Sequence, residues 1–346
     1  MKIWYNKKED KSCMLITDRK TRRYFSGIDV DEGVMLILDK KYYLTDARSF
    51  CAVNEKLSST DIISVKYCGL QSIEKILKAE RVKTLYIDYQ QTTVAELEEY
   101  KKFKLKIKDC STEIKSLRSI KSDVEIQKIT RACEIVQQSF YETLKEIKLG
   151  VTEKYLADFI KNSMLELGAE DVSFDTIVAF GKNSAVPHHQ TGDTKLKENQ
   201  VVLIDVGCTV DGYCSDLTRT VFFGNPDDEF VKTYNAVLDA NLTALENITA
   251  GITTCDADAF ARNILKEKNV DVYFTHSLGH GLGLDIHEYP SLSPKTSDEL
   301  KNGMAVTIEP GVYFDDKYGI RIEDTVILKD GKVKRLFTDE KNLIII

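Results

Sequence analysis

Histidine is scarce in this 346-residue chain: there are five, and none precedes position 188. Tryptophan occurs once and proline five times, and the 18 glycines follow no period, which excludes collagen-like and linker-dominated chains. No apolar run reaches the roughly 18 residues of a membrane-spanning helix. The opening segment MKIWYNKKEDKSC has early charge but no apolar stretch behind it, so no export signal is expected. The eight cysteines (Cys13, Cys51, Cys68, Cys110, Cys133, Cys208, Cys214, Cys255) are scattered without a CxxC pair. That usage reads as reduced, mostly buried thiols in a cytoplasmic protein. Cys208 and Cys214 flank an expected turn and read as strand packing. Positive charge is also short: 48 Lys and Arg against 55 Asp and Glu leave a net charge of -7. Such a chain lacks the electrostatic footprint for nucleic acid or an anionic membrane. What remains, 42% hydrophobic and 30% charged residues, is ordinary globular composition.

At roughly 150 residues per domain, the length suggests two domains. Residues 1–118 alternate short strands and helices. Gly33 to Arg48 reads as a hairpin turning at Asp39-Lys40-Lys41, VKTLYID (82–88) as a strand, and SIEKILKAE and TTVAELEEYKKF as helices. This is a small α/β domain with a mixed sheet, expected to shape a site or an interface and to carry no chemistry of its own. A boundary falls near Ser116 to Ser122, and residues 119–346 form the second domain. Ser122 with Glu125 is a capping box opening a long helix, and Gly150 is the expected residue just past its end.

The second domain repeats itself at an offset of about 100 to 105 residues. Each half runs long helix, Gly-(Val/Ile)-Thr, second helix, then an apolar strand ending in a carboxylate, at Asp205 and at Glu309. Each half then adds a strand ending Thr-Val. The pattern predicts two α/β halves about a pseudo-twofold axis.

Asp211-Gly212 is a two-residue hairpin signal. Centred there, the turn sets Val210 opposite Tyr213 and Asp205 opposite Thr218, with Asp216 the diagonal neighbour of Asp205 on one face. Two buried acids side by side cost several kcal/mol, on the order of the penalty per buried ion, unless a cation lies between them. Tyr318 to Val326 reads as one strand, with Arg321, Glu323 and Thr325 on one face and Ile320, Ile322 and Asp324 on the other. Asp205, Asp216, Glu309 and Glu323 are thus candidates to converge from the two halves. All five histidines fall in two short segments, His188-His189 and HSLGHGLGLDIHE with His276, His280 and His287. Glycines 279, 281 and 283 argue against a helix there, and Ser277 rules out the HExxH zinc motif. One imidazole with several carboxylates is a hard, oxygen-rich donor set that favours Mn²⁺, Fe²⁺ or Co²⁺, with Zn²⁺ also accommodated. Four carboxylates match two divalent cations in charge, and such a pair about 3.5–4 Å apart can activate water and polarise a carbonyl.

The segments DVGCTVDGYCSDLTRT, HSLGHGLGLDIHE, TIEPG and GIRIEDT, in that order, resemble the pita-bread metallopeptidases: Xaa-Pro aminopeptidase, prolidase and methionine aminopeptidase. RYFSG and YLTDAR look like the creatinase-type N-terminal domain of the proline-specific members, which methionine aminopeptidases lack. The resemblance implies a creatinase-like domain (1–118) followed by a pita-bread catalytic domain (119–346). It implies two divalent metal ions per subunit, Mn²⁺ first, held by Asp205, Asp216, His280, Glu309 and Glu323, with Asp216 and Glu323 bridging. It further implies that His188, His276 and His287 line the active site and that Glu309 shuttles a proton. Arg321 would be a partner behind the metal or beside the substrate. His189 is not among the residues carried over by the resemblance and reads as a surface or substrate-side group. The activity implied is Xaa-Pro aminopeptidase, with prolidase the main alternative. A non-catalytic binding protein or a creatinase-like amidinohydrolase should lack these ligands. The expected partners are a proline-containing peptide and a second copy of the chain, with no nucleic acid and no membrane.

Overall fold

The structure, a computed structural model, describes residues 11–67 and 69–346; the first ten residues and Cys68, on which two of the readings above fall, lie outside the described residues. The chain divides into two compact units, Met1–Arg118 and Ser119–Ile346.

Unit one carries strands β1 (Ser12–Ile16), β2 (Val34–Ile37), β3 (Lys41–Thr45), β4 (Ile62–Lys66), β5 (Thr84–Ile87) and β6 (Lys106–Asp109). Its helices are α1 (Arg19–Ser26), α2 (Phe50–Leu57), α3 (Leu70–Ala79), α4 (Val94–Lys101) and α5 (Ser111–Ser119). The strand order is β4-β3-β2-β1-β5-β6, antiparallel through the β1-β2-β3 meander and parallel outside it. Alternation sends Met14, Ile16, Met35 and Ile37 into one core and Cys13, Leu15, Leu36 and Leu44 into another. A sheet buried on both faces needs such apolar strands.

Unit two opens with α6 (Asp123–Leu144) and α7 (Glu153–Glu166), then β7 (Asp171–Val172), β8 (Ile177–Phe180), β9 (Gln200–Val206), β10 (Cys208–Val210), β11 (Tyr213–Cys214) and β12 (Leu217–Phe223). Its second half has α8 (Asp228–Asn247), α9 (Thr254–Glu267), β13 (Gly279–Gly281), β14 (Glu288–Leu292), β15 (Ala305–Ile308), β16 (Gly311–Phe314), β17 (Tyr318–Arg321), β18 (Asp324–Lys329) and β19 (Lys332–Arg335). Each half is thus a helix pair followed by an antiparallel ladder, β8-β9-β12 in one and β13-β15-β18 in the other. The Ser122–Glu125 capping box starts α6 as the sequence suggests. The helix does not reach Gly150, however. It ends at Leu144 and unwinds through tighter turns, with Glu146 N–H on Thr143 C=O and Ile147 N–H on Leu144 C=O, while Ile147 is buried. Gly150, with φ of 85°, belongs to the turn that donates to Leu196 C=O, not to a helix end.

Two further departures concern the site. The expected single strand Tyr318–Val326 is two, β17 and β18, belonging to different sheets. The ladder breaks because the N–H of Ile322 turns to Pro310 C=O and that of Glu323 crosses to Thr218 C=O in the other half. Of the described cysteines, Cys51 is exposed and Cys255 partly so, since both sit on helical turns facing outward; the other five are buried, including Cys208 and Cys214 in their strands. No helix among the described residues is long and apolar enough to cross a membrane.

Candidate metal centre

The two halves meet along a seam stitched by threonines. Thr218 Oγ1 donates to Glu323 Oε2 (2.6 Å), Thr220 Oγ1 to Arg321 C=O (2.9 Å) and Thr325 Oγ1 to Asp216 C=O (2.8 Å). Each bond spans more than 100 residues of sequence, so the seam aligns β12 of one half with the segment 321–325 of the other. The carboxylates lie along it. The hairpin register is the one read from Asp211-Gly212, with Val210 paired to Tyr213 and Asp205 to Thr218.

Asp216, His280 and Glu323 each offer a ligand atom, all within 4.8 Å of one another. His280 Nε2 stands 3.6 Å from Asp216 Oδ2 and 3.3 Å from Glu309 Oε1. Its Nδ1 faces Gly281 C=O at 3.1 Å, a partner that assigns the proton to Nδ1 and leaves the Nε2 lone pair for the carboxylate side. Asp205 joins through Oδ2, which accepts from Arg321 Nη2 at 2.6 Å.

The electrostatics of this cluster are unresolved by protein groups alone. Asp205 Oδ1, Asp216 Oδ1 and Glu323 Oε1 are buried and have no hydrogen-bond partner among the described residues. Burial first, then the charges of the neighbouring carboxylates, pushes the Asp216 and Glu323 carboxyls well above the usual range. Burial, with Asp205 adding to it, takes Glu309 up to about 8 against the counter-pull of Arg321. Burial and the proximity of His287 bring His280 down to about 4, so its imidazole is neutral at pH 7. Three orphaned carboxylate oxygens and a neutral imidazole, on residues that line one cavity, are a donor set that a divalent cation completes. The residues fit such an ion, and a cluster without one holds part of its charge as protons.

Behind the cluster runs a relay of buried side chains. Arg321 donates to Asp205, to Thr218 Oγ1 (3.0 Å) and to Tyr313 Oη (2.7 Å). Tyr313 Oη in turn reaches His276 Nε2 at 2.9 Å, while His276 Nδ1 faces Ser277 C=O at 2.8 Å. Burial and then the Arg321 charge lower His276 to about 4. Each of the three guanidinium nitrogens of Arg321 thus donates to a protein group.

In front lies a cavity of about 470 Å³ whose wall includes Phe174, Ile177, Pro187, His188, Ile286 and His287 as well as the carboxylates. Burial and the adjacent His188 lower His287. Every residue named from the sequence as ligand or catalytic group thus borders one cavity: Asp205, Asp216, His280, Glu309, Glu323, Arg321, His188, His276 and His287. His189 does not. Its Nε2 lies 3.0 Å from Glu153 Oε2, on a fully buried carboxylate that also accepts from Phe180 N–H and Asn183 Nδ2. His189, partly buried, therefore fastens the loop that carries His188. Sequence reasoning missed Glu153 and Tyr313, and placed Thr218 opposite Asp205 without its bonds to Glu323 and Arg321. It also missed the Asp258–Arg262 pair, which holds Leu278 N–H and the carbonyls of Phe274 and His276. Each is an ordinary residue type made important by a partner far along the chain, and only the Thr-Val echo between the halves hinted at the seam.

Comparison with known proteins places this geometry. Residues 127–330 match the model of metallopeptidase family M24, and residues 6–120 that of the creatinase/prolidase N-terminal domain. Among curated relatives, an uncharacterized peptidase of Staphylococcus saprophyticus is 42% identical over 233 residues, 67% of this chain and 67% of its own. One of Staphylococcus aureus is 43% identical over 233 residues, 67% of this chain and 66% of its own. Among solved structures, an Xaa-Pro dipeptidase from Bacillus anthracis superposes with a TM-score of 0.93 at 33% identity, covering 96% of this chain and 95% of that one. An X-Pro aminopeptidase from Thermotoga maritima gives 0.91 at 33%, covering 97% of each. A prolidase from Pyrococcus furiosus gives 0.89 at 34%, covering 97% and 98%.

Proposed function

The chain belongs to metallopeptidase family M24, with the pita-bread fold, and from that premise we propose that it hydrolyses Xaa-Pro peptide bonds at the N-terminus of its substrate with two divalent metal ions, Mn²⁺ first. The observation that carries the proposal is the convergence of Asp216, His280 and Glu323 from both halves, with three carboxylate oxygens left unsatisfied beside a substrate-sized cavity. Asp205, Asp216, His280, Glu309 and Glu323 would hold the metal, which when bound supplies Lewis acidity and water activation. The chain's own groups do the rest. His287 and His188 border the cavity where the scissile carbonyl would lie and offer N–H donors to its developing negative charge. Glu309, which borders the cavity beside His280, would carry a proton to the departing prolyl nitrogen. Arg321 fixes Asp205, and Tyr313 fixes His276.

Two activities share this chemistry. The aminopeptidase reading leads, because the cavity wall offers apolar and imidazole groups while its arginine, Arg321, is spent on Asp205 and Tyr313. The dipeptidase reading is favoured by the likeness to the Bacillus anthracis dipeptidase and the Pyrococcus furiosus prolidase. Incubation with Mn²⁺ and either an Xaa-Pro dipeptide or a longer Xaa-Pro-Yaa peptide separates them. Cleavage of the longer peptide supports the aminopeptidase; cleavage of the dipeptide alone replaces it with the dipeptidase. Inertness towards both removes Xaa-Pro specificity. The remaining parts of the proposal are a homodimer, checked by sedimentation equilibrium, and a cytoplasmic setting.

A further inference from the structure

Helix α8 buries an amide where its neighbours are apolar. Asn241 is fully buried beside Val237, Ala240 and Ala244, which belong to a hydrophobic core of the second domain. Its hydrogen-bonding capacity is spent on three partners. Nδ2 donates to Ile308 C=O at 2.9 Å and to Ile322 C=O at 3.0 Å, and Oδ1 accepts from Lys341 Nζ. Ile308 immediately precedes Glu309, and Ile322 immediately precedes Glu323. A single side chain thus ties together the two backbone points from which two of the candidate ligand carboxylates depart.

The tie has a fixed orientation. Lys341 Nζ also pairs with Asp324 Oδ2 at 2.8 Å, so the ammonium is held and the amide oxygen must face it, which leaves the NH₂ to face the two carbonyls. The residues around Glu323 are held from the same side. Arg219 donates to Glu323 C=O and to Asp324 Oδ1, and it is itself gripped by Asp339. The Glu323 backbone lies between β17 and β18, one residue beyond the Ile308–Asp324 rung where the β15–β18 ladder ends, so the Asn241 tie acts at the point where strand pairing stops. An apolar residue at 241 would suit the surrounding core but would take both donors away, from Ile308 C=O at the end of the β15–β18 ladder and from Ile322 C=O outside it, the more costly arrangement.

We infer that Asn241 is a positioning residue for the metal centre: by bridging the carbonyls before Glu309 and Glu323 it sets the separation of those two carboxylates, and with it metal affinity and geometry. The inference rests on the metal-centre reading above. Outer partners of this kind typically change metal affinity by about 10–100-fold.

The test uses Co²⁺ as probe, read by titration calorimetry and by its visible d–d absorption, on the full chain. Asn241→Asp is nearly isosteric and keeps the Lys341 contact, but it removes both N–H donors and sets an anion against two carbonyl oxygens. It should weaken Co²⁺ binding at least about tenfold and alter the Co²⁺ spectrum, with the far-UV circular dichroism unchanged. Thr143→Val, a buried change on α6 that touches no ligand, should lower the melting temperature and leave the Co²⁺ spectrum as it was. If Asn241→Asp does not fold, Lys341→Met decides: it frees the amide to rotate and should shift the spectrum in the same sense. An unaltered spectrum and affinity in the folded variant would overturn the positioning role. Failure of the unmodified chain to bind Co²⁺ would instead remove the metal centre itself.

Discussion

Asp216 and Glu323 face each other across the seam, each with one oxygen unsatisfied, and their replacement is the sharpest trial of the centre. Asp216→Ala or Glu323→Ala should abolish bound metal and lower activity by more than about a hundredfold, beyond the effect of losing an outer partner. Metal analysis beside a peptidase assay checks this, and full metal content with near-normal activity would sink the ligand assignment. Protonation gives a second handle. Glu309 rises from its ordinary 4.5 to about 8 in the metal-free fold. A carboxyl raised in this way stabilises the fold fully only below its unfolded pKa, and that contribution is lost as pH climbs towards 8. A cation must displace the same proton. Binding of Mn²⁺ at pH 6.5 should therefore release protons, and the share from Glu309 should fade above pH 8. Calorimetry in two buffers of different ionisation enthalpy measures it; a buffer-independent heat at pH 6.5 would contradict the raised carboxyls. Much of this was legible at residue level. The Asp211-Gly212 turn alone gave the Asp205–Thr218 register, and the crowding of five histidines into two segments marked the cavity wall. The fate of His189 was not, because its partner Glu153 lies 36 residues away at a helix start.

Strand β13 is only three residues long, and it carries His280 at its centre. Gly279 makes this possible: a Cβ there would stand 2.0 Å from Thr307 C=O in the neighbouring strand β15. Gly279→Ala must push β13 away from β15 and take the adjacent imidazole with it. Overpacking of this kind costs about 1–3 kcal/mol. The expected outcome is a lower melting temperature together with weaker metal binding, measured on the same preparation; a normal metal affinity would show that His280 does not depend on this close approach. Helices and apolar strands were readable because capping boxes and periodicity are local signals. The β17–β18 break was not, since Tyr318 to Val326 alternates as a continuous strand would. The backbone departs from that pattern only because Glu323 N–H finds Thr218 C=O, an interaction no local pattern encodes.

At the scale of the whole chain, two units should respond differently to metal. Ligand binding stabilises only what it binds, by about 2.7 kcal/mol at a hundredfold excess over Kd. Scanning calorimetry with and without Mn²⁺ should move the transition of Ser119–Ile346 upwards and leave that of Met1–Arg118 in place. An unmoved transition of Ser119–Ile346 would contradict a metal centre in that unit. The composition and the repeat gave the two-part organisation early, but neither could show which side chains cross from half to half. That crossing has a consequence for how the protein is made. A chain leaving the ribosome exposes Asp205 and Asp216 long before His280, Glu309 and Glu323 exist. It then carries two carboxylates and no imidazole, too weak a set to retain a cation. The seam closes only when segment 321–325 has emerged with Asp339 and Lys341, which hold it through Arg219 and Asp324, so the nascent polypeptide cannot become a hydrolase before both halves have been made.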